Sequence, residues 1–328
     1  MKLKMILSFF LLFFSMHSLT AQTFYKTPFA NTYSIVAVDT VTGEIGCAVQ
    51  SHWFSVGSIV LWAEAGVGAV CTQSFTNPSF GPRGLELMKA GATPEQAIEV
   101  LTGADESRDY RQLAMINSSG ISAAYTGAKC IDAAGHISKP TYSVQANLME
   151  KSSVWPAMEK AFVEATGSLA ERMMTALEAA EAEGGDIRGR QSAAILVVKG
   201  ESSGEVWNDR IVDLRVEDHP TPLKEMRRLL TVHKAYEHMN AGDHALETGD
   251  EAAALSEYGS AMDIMPKNLE MKYWTAVSLA NINKVAEALP LFKTVFAGDK
   301  RWRELTPRLR KNGLLNVSDD VLKQIVMQ

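Results

Sequence analysis

The sequence predicts an α+β fold in two parts: a sandwich of antiparallel sheets over residues 32–224 and a smaller all-α helical-repeat domain over 225–328. Three observations carry this. Between Thr32 and Leu223, short β-rich runs bounded by turns come as strands, then helices, then strands, the order of an α+β protein rather than of a doubly wound parallel sheet. From about Lys234 the pattern changes to a period of 34 residues. Charge changes with it: residues 225–328 carry 14 Lys plus Arg against 14 Asp plus Glu, whereas 22–224 carry 16 against 24. The whole chain of 328 residues, 46% hydrophobic, has the length of about two domains and ample apolar residues for a core in each.

The first element is an address. Lys2 and Lys4 precede a mostly apolar run over 5–16, and Leu19-Thr20-Ala21 follows. This charged, apolar, small-residue order predicts a secretory signal over 1–21, with an apolar run shorter than the ~18 residues of a spanning helix. An N-terminal membrane anchor is the alternative. Cleavage after Ala21 leaves a short pre-segment, 22–31, on an exported chain, periplasmic or secreted, with no stable membrane insertion once the signal is gone. The lack of a Cys near the cut argues against a lipid anchor.

Residues 33–38 and 44–50 read as a hairpin around Asp39-Thr40-Val41-Thr42-Gly43, and 59–63 with 67–73 as a second pair around Ala65-Gly66. Helices follow at 84–90 and 93–101, with Thr93 as N-cap ahead of Pro94. Two strands flank Asn117-Ser118-Ser119-Gly120, and another covers 141–147. Helices at 153–164 and 168–183 end at Gly184-Gly185, as helices often do, before strands at 193–198 and 211–216. In the tail, Gly242, Gly249, Ala254, Tyr258, Ala261 and Pro266 hold the small, aromatic and helix-ending positions of a helix-turn-helix repeat. Ala288 and Phe292 fall 34 residues after Ala254 and Tyr258. This resembles the tetratricopeptide repeat, in which small residues let paired helices pack closely around an aromatic. The second copy departs at Asn283 and Val295, and residues after Arg301 read as capping helices. Such a tail is either a docking groove for a protein or peptide partner, or a buttress on the main domain.

Composition narrows the chemistry. Acidic and basic residues are interspersed and no basic face stands out for nucleic acid, so a small-molecule or peptide substrate is the starting expectation. Cys47 and Cys71 sit in apolar runs and, with Cys130, read as structural thiols, with a bridge or a nucleophile as the other readings. Neither a Cys/His ligand spacing nor a dinucleotide fingerprint nor a phosphate loop is present, so no metal or cofactor is expected.

Six stretches carry a resemblance: Thr32-Tyr33-Ser34-Ile35-Val36-Ala37, Gly66-Val67-Gly68-Ala69-Val70, Gly81-Pro82-Arg83-Gly84-Leu85, Tyr142-Ser143-Val144-Gln145-Ala146-Asn147, Gly184-Gly185-Asp186-Ile187-Arg188-Gly189-Arg190-Gln191-Ser192-Ala193, and Asn208-Asp209-Arg210 through Asp218-His219-Pro220. Together they resemble the DUF1028 family, of undefined biochemical function and assigned to the N-terminal-nucleophile (Ntn) hydrolases. The resemblance implies a four-layer αββα sandwich and a nucleophile at the start of the first strand, here Thr32. An Ntn enzyme uses the hydroxyl of its first residue as nucleophile and that residue's own α-amine, of reference pKa near 8, as base. Residues 22–31 would still precede Thr32 after signal removal, so a second cut at Asn31-Thr32 is required.

Each candidate has a structural reading beside the functional one. Thr32 is the unmasked nucleophile or a β-branched residue opening a strand. Ser34, two residues on and on the same strand face, assists it or is a buried hydroxyl. Asn147 donates to an oxyanion or caps a turn. Asp186 orients Arg188 or the nucleophile's amine, or forms an ion pair. Arg83, between glycines at an expected helix start, holds a substrate oxygen or ties down its loop. Arg188, Gln191 and Ser192 form a polar group beside a strand end that can bind substrate. Two functions follow: an exported hydrolase acting on an amide or related acyl bond, or a non-catalytic envelope module that binds a ligand or protein.

Overall fold

The computed structural model describes residues 29–328; the expected signal and residues 22–28 lie outside them. In the first unit β1 (Phe29–Ala30) leads directly into β2 (Thr32–Val38) and β3 (Ile45–Ser51). Asp39 shapes the turn between β2 and β3, its Oδ1 accepting the Val41 and Thr42 N–H groups at 2.8 and 3.2 Å. A helical turn, Gly57–Val60, precedes β4 (Leu61–Glu64) and β5 (Gly68–Phe75). Helices Phe80–Lys89 and Pro94–Gly103 follow, then β6 (Arg111–Asn117), β7 (Ser122–Thr126), β8 (Gly135–Lys139) and β9 (Tyr142–Ala146). Helices Val154–Glu164 and Leu169–Ala182 lead to β10 (Ser192–Val198) and β11 (Arg210–Val216).

All strand pairings are antiparallel. One sheet runs β11-β10-β3-β2-β9-β8, and the other runs β1-β5-β6-β7 with β4 also on β5. In β2, β3 and β10 every residue is buried, which is why these segments read as near-continuous runs of Val, Ile, Ala and Cys. The sheets face each other through a core that includes Val36, Val38, Cys47 and Val49 from one and Ala69, Cys71, Ala114 and Ile116 from the other. Helices Phe80–Lys89 and Pro94–Gly103 pack on the β5-centred sheet, and Val154–Glu164 and Leu169–Ala182 on the β2-centred sheet.

Three elements depart from the expectation. The strand β8 is additional to the expected ones: Gly-His-Ile-Ser-Lys carries little β propensity and borders only β9 in its sheet. Its Gly135 is needed because a Cβ there would stand 2.6 Å from the Trp155 ring. The strand expected at 59–63 opens instead as the helical turn Gly57–Val60. The helix expected from 84 starts at Phe80, since Pro82 lies in the first turn, where a missing N–H breaks no helical bond. Thr93 does cap the next helix, in a capping box with Gln96.

Compact units divide between Arg227 and Arg228, inside helix Pro222–Glu247. The second unit continues as helices Glu251–Ile264, Leu269–Asn281, Val285–Gly298, Arg301–Lys311 and Asp319–Val326. Tyr258 is fully buried among Ala254, Ala261 and Met271, and Gly242 lets it approach: a Cβ there would stand 2.5 Å from the ring. Phe292 and Ala288 are buried in a separate cluster with Tyr273 and Phe296.

Candidate functional site

Thr32 opens β2 opposite Ser51, the last residue of β3, with neither residue exposed. Alternation along β2 sends Thr32 and Ser34 toward the other sheet and Tyr33 the opposite way. Thr32 Oγ1 lies 2.8 Å from the Ala30 carbonyl oxygen and 3.2 Å from Ser51 Oγ. The carbonyl just before Thr32, that of Asn31, accepts from Ser51 Oγ at 2.5 Å and from Arg188 Nη2 at 2.9 Å.

Arg188 is held for this. Its Nε and Nη2 donate to the two oxygens of Asp186 at 3.0 and 2.7 Å, and its backbone N–H adds a third bond at 2.9 Å. The Asp186 side chain is fully buried and also accepts the His52 N–H at 3.2 Å. A bidentate guanidinium fixed by a buried carboxylate is a directional donor, not a loose surface charge.

Below Thr32 lies a fully buried amide and hydroxyl network between the sheets. Gln73 Nε2 donates to the Thr32 carbonyl at 3.1 Å and to Gln112 Oε1 at 2.7 Å. Ser34 Oγ donates to Gln73 Oε1 at 2.6 Å and accepts from Gln145 Nε2 at 2.5 Å. Asn147 donates its backbone N–H to the Thr32 carbonyl at 3.1 Å, and its side-chain nitrogen to Gln112 at 2.8 Å. Among the described residues, the buried side-chain atoms without a hydrogen-bond partner include Asn147 Oδ1 and both amide atoms of Asn31. Such groups are uncommon in a folded core and concentrate attention on this end of the sandwich.

The expected residues fall into three groups. Thr32, Ser34, Asn147, Asp186 and Arg188 converge here. Asn147 does so with its side-chain nitrogen donating to Gln112, and the two donors on the Asn31 carbonyl are Ser51 Oγ and Arg188 Nη2. Gln191 and Ser192 brace the surroundings: Gln191 Nε2 reaches Asp218 at 3.1 Å, and Ser192 Oγ ties Trp53 and Val56 of the loop after β3. Arg83 is corrected. It is exposed within a helix, and its N–H donates to the Ser79 carbonyl at 3.2 Å, so it offers no free helix-start donor. Sequence reasoning missed Asn31, Ser51, Gln73 and Gln112. The available signal was the contiguous polar residues at the ends of otherwise apolar strands, Asn31-Thr32, Gln50-Ser51, Thr72-Gln73-Ser74 and Arg111-Gln112.

Tyr33 points away from this network, its hydroxyl donating to Glu181 at 2.9 Å. Burial, reinforced by Glu181, pushes its pKa well up. Glu181 and Arg190 border a cleft of about 400 Å³ beside helix Leu169–Ala182. Among the described residues, no helix is long and apolar enough to cross a membrane and no group of three or more His, Cys, Asp or Glu gathers as a metal site.

The family of unknown function DUF1028 matches residues 32–226. The chain belongs to the DUF1028 family. A crystal structure of a DUF1028 protein from Silicibacter pomeroyi is similar to it, with 32% identity and a TM-score of 0.55. The match covers 61% of this chain and 88% of that one. Among curated proteins, none matches. The DUF1028 match begins at Thr32, so β1 and Asn31 stand outside the matched region while their carbonyls contact Thr32, Ser51 and Arg188.

Proposed function

We propose that this protein is an exported Ntn-type hydrolase that cleaves an amide or related acyl bond with Thr32 as nucleophile. The observation that carries the reading is the pair of donors, Ser51 Oγ and Arg188 Nη2, on the carbonyl adjoining Thr32. In acyl transfer such donors stabilise the oxygen that becomes negative in the tetrahedral intermediate. The order helix pair, sheet, sheet, helix pair agrees with the αββα sandwich of the Ntn hydrolases, and the family match starting at Thr32 agrees with a chain end there.

The mechanism requires the Asn31-Thr32 bond to be cut first. The freed α-amine takes the proton of Thr32 Oγ1 as the oxygen attacks the substrate carbonyl carbon. The carbonyl electron pair moves onto the oxygen facing Ser51 and Arg188. Collapse expels the amine, which receives the proton, and leaves an ester on Thr32. Water, deprotonated by the same α-amine, hydrolyses that ester and restores the enzyme. Asp186, Gln73 and Asn147 act by positioning, through Arg188 and the Thr32 carbonyl. The helical tail, with the small and aromatic positions of a tetratricopeptide-like repeat, serves as a protein-docking or bracing module.

The test is intact mass and N-terminal sequencing of protein exported by its native route, wild type beside Thr32→Ala. A wild-type chain starting at Thr32 with the variant uncut is the expected result. A folded wild-type chain that keeps its pre-segment would overturn the free-amine mechanism. It would favour the ligand-binding envelope module, to which the enclosed, amide-bonded Thr32 of this structure also conforms.

A further inference from the structure

The residues in front of Thr32 are seated as a bound peptide would be. Strand β1 runs antiparallel to β5, with Phe29 opposite Phe75 and Ala30 opposite Ser74, whereas Thr32 pairs with Ser51 in the other sheet. The chain therefore crosses from one sheet to the other at Asn31, which is fully buried. On β5, β4 pairs with Gly68 through Cys71, and β1 takes up Ser74 and Phe75. Without β1, the edge of β5 at these two residues would lose its neighbouring strand, while the Phe75 carbonyl would keep its bond from Arg111 Nη1 at 2.5 Å.

We infer that the Ser74–Phe75 edge of β5 is an acyl-side binding site for an extended peptide. The peptide takes the place now held by Phe29, Ala30 and Asn31 and offers its scissile carbonyl to Ser51 and Arg188. The inference rests on the reading of Thr32 as nucleophile and names its substrate class: peptides with several residues on the acyl side, rather than small amides. Strand addition supplies affinity through main-chain hydrogen bonds and places alternate side chains in pockets. Two features make the present occupant displaceable. Neither amide atom of Asn31 has a partner among the described residues, and Ser74, opposite Ala30, holds a left-handed backbone at φ 69°, a costly conformation for a residue with a Cβ. Phe29, Ala30 and Asn31 are thus held by backbone pairing and the Asn31 carbonyl, not by the fit of the Asn31 side chain.

The experiment uses the chain with residues 22–31 replaced by the recognition sequence of a site-specific protease and cut to begin at Thr32, so that the site is vacated whether or not the protein cuts itself. Three probes compete against a fluorescent copy of the first: acetyl-Thr-Pro-Phe-Ala-Asn-amide, the same peptide N-methylated at Phe and Ala, and acetyl-Asn-amide. The Thr32→Ala form, cut in the same way, separates binding from turnover. The unmodified pentapeptide is expected to bind both forms at least about tenfold tighter than acetyl-Asn-amide, the gain of one or two net hydrogen bonds, and N-methylation is expected to remove that gain. Equal binding of the three probes overturns the inference even if Thr32 hydrolyses acetyl-Asn-amide. Length-dependent binding without any turnover sustains the peptide site and counts against the nucleophile.

Discussion

Asp186 and Arg188 illustrate what a short sequence can say at the scale of single residues. Two residues apart in a Gly-rich turn, they read as a pair before a strand, and they are one; the target of the pair, the Asn31 carbonyl 2.9 Å from Arg188 Nη2, was not legible. That contact joins residues 157 apart in the chain. Gln73 and Gln112 were missed for a related reason: a Gln in an apolar strand reads as a surface residue until a second sheet covers it. The Asp186→Asn variant is expected to lose about 2–4 kcal/mol, because it leaves a quarter-exposed guanidinium without its fully buried counter-charge. Urea unfolding with unchanged slope would measure this; a loss under about 0.5 kcal/mol would mean the pair does not hold the loop. The three cysteines lead to a simpler expectation. Cys47 and Cys71 are fully buried, Cys130 nearly so, and burial pushes the Cys47 and Cys130 thiols up. A thiol reagent at pH 8 should label none of them in the folded protein and all three in denaturant, counted by intact mass. Rapid native labelling would contradict their role as packed side chains.

Elements with strong local signals were the readable ones. Thr93-Pro94 and Ser168 through Glu171 carry N-cap chemistry in four residues, and both form capping boxes. The hairpin of β2 and β3 follows from Asp39 and Gly43, the latter at φ 77°. Elements whose identity depends on a neighbour were not readable. β8 exists because β9 offers an edge to pair with, and the helix from Phe80 packs its Gly81 against the Trp62 ring, where a Cβ would come within 2.2 Å. Replacing Ser168 by Ala removes the side-chain acceptor for the Glu171 N–H, and a loss of about 1 kcal/mol is expected. Thermal unfolding of this variant beside Ser168→Asn, which restores an acceptor and should recover most of the loss, checks that the cap and not the surface position is responsible.

Across the first unit, the site exists only as a consequence of the completed sheet. Its strand order places β3 and β2 at the centre, flanked by β10 and β9 from far along the chain. Thr32 and Ser51 meet in a local hairpin, but Asn147 and Arg188 join them only when β9 and the loop before β10 dock. Non-local pairings of this kind form late, since chain-closure entropy must be overcome first. A self-inflicted cut at Asn31-Thr32 should therefore be a property of the folded protein alone. In rising urea, the rate at which chains beginning at Thr32 appear is expected to fall with the folded fraction measured by tryptophan fluorescence. Ile195→Ala, at a fully buried site in β10, should shift both curves together to lower urea, given a cost of about 2–5 kcal/mol for such a truncation. A cut that persists in urea after the sheet has unfolded would mean a separate protease makes it. Assembly from distant segments also explains why the candidate site was harder to read than the fold: strands and caps are written locally, whereas the donors around Thr32 are brought together only by topology.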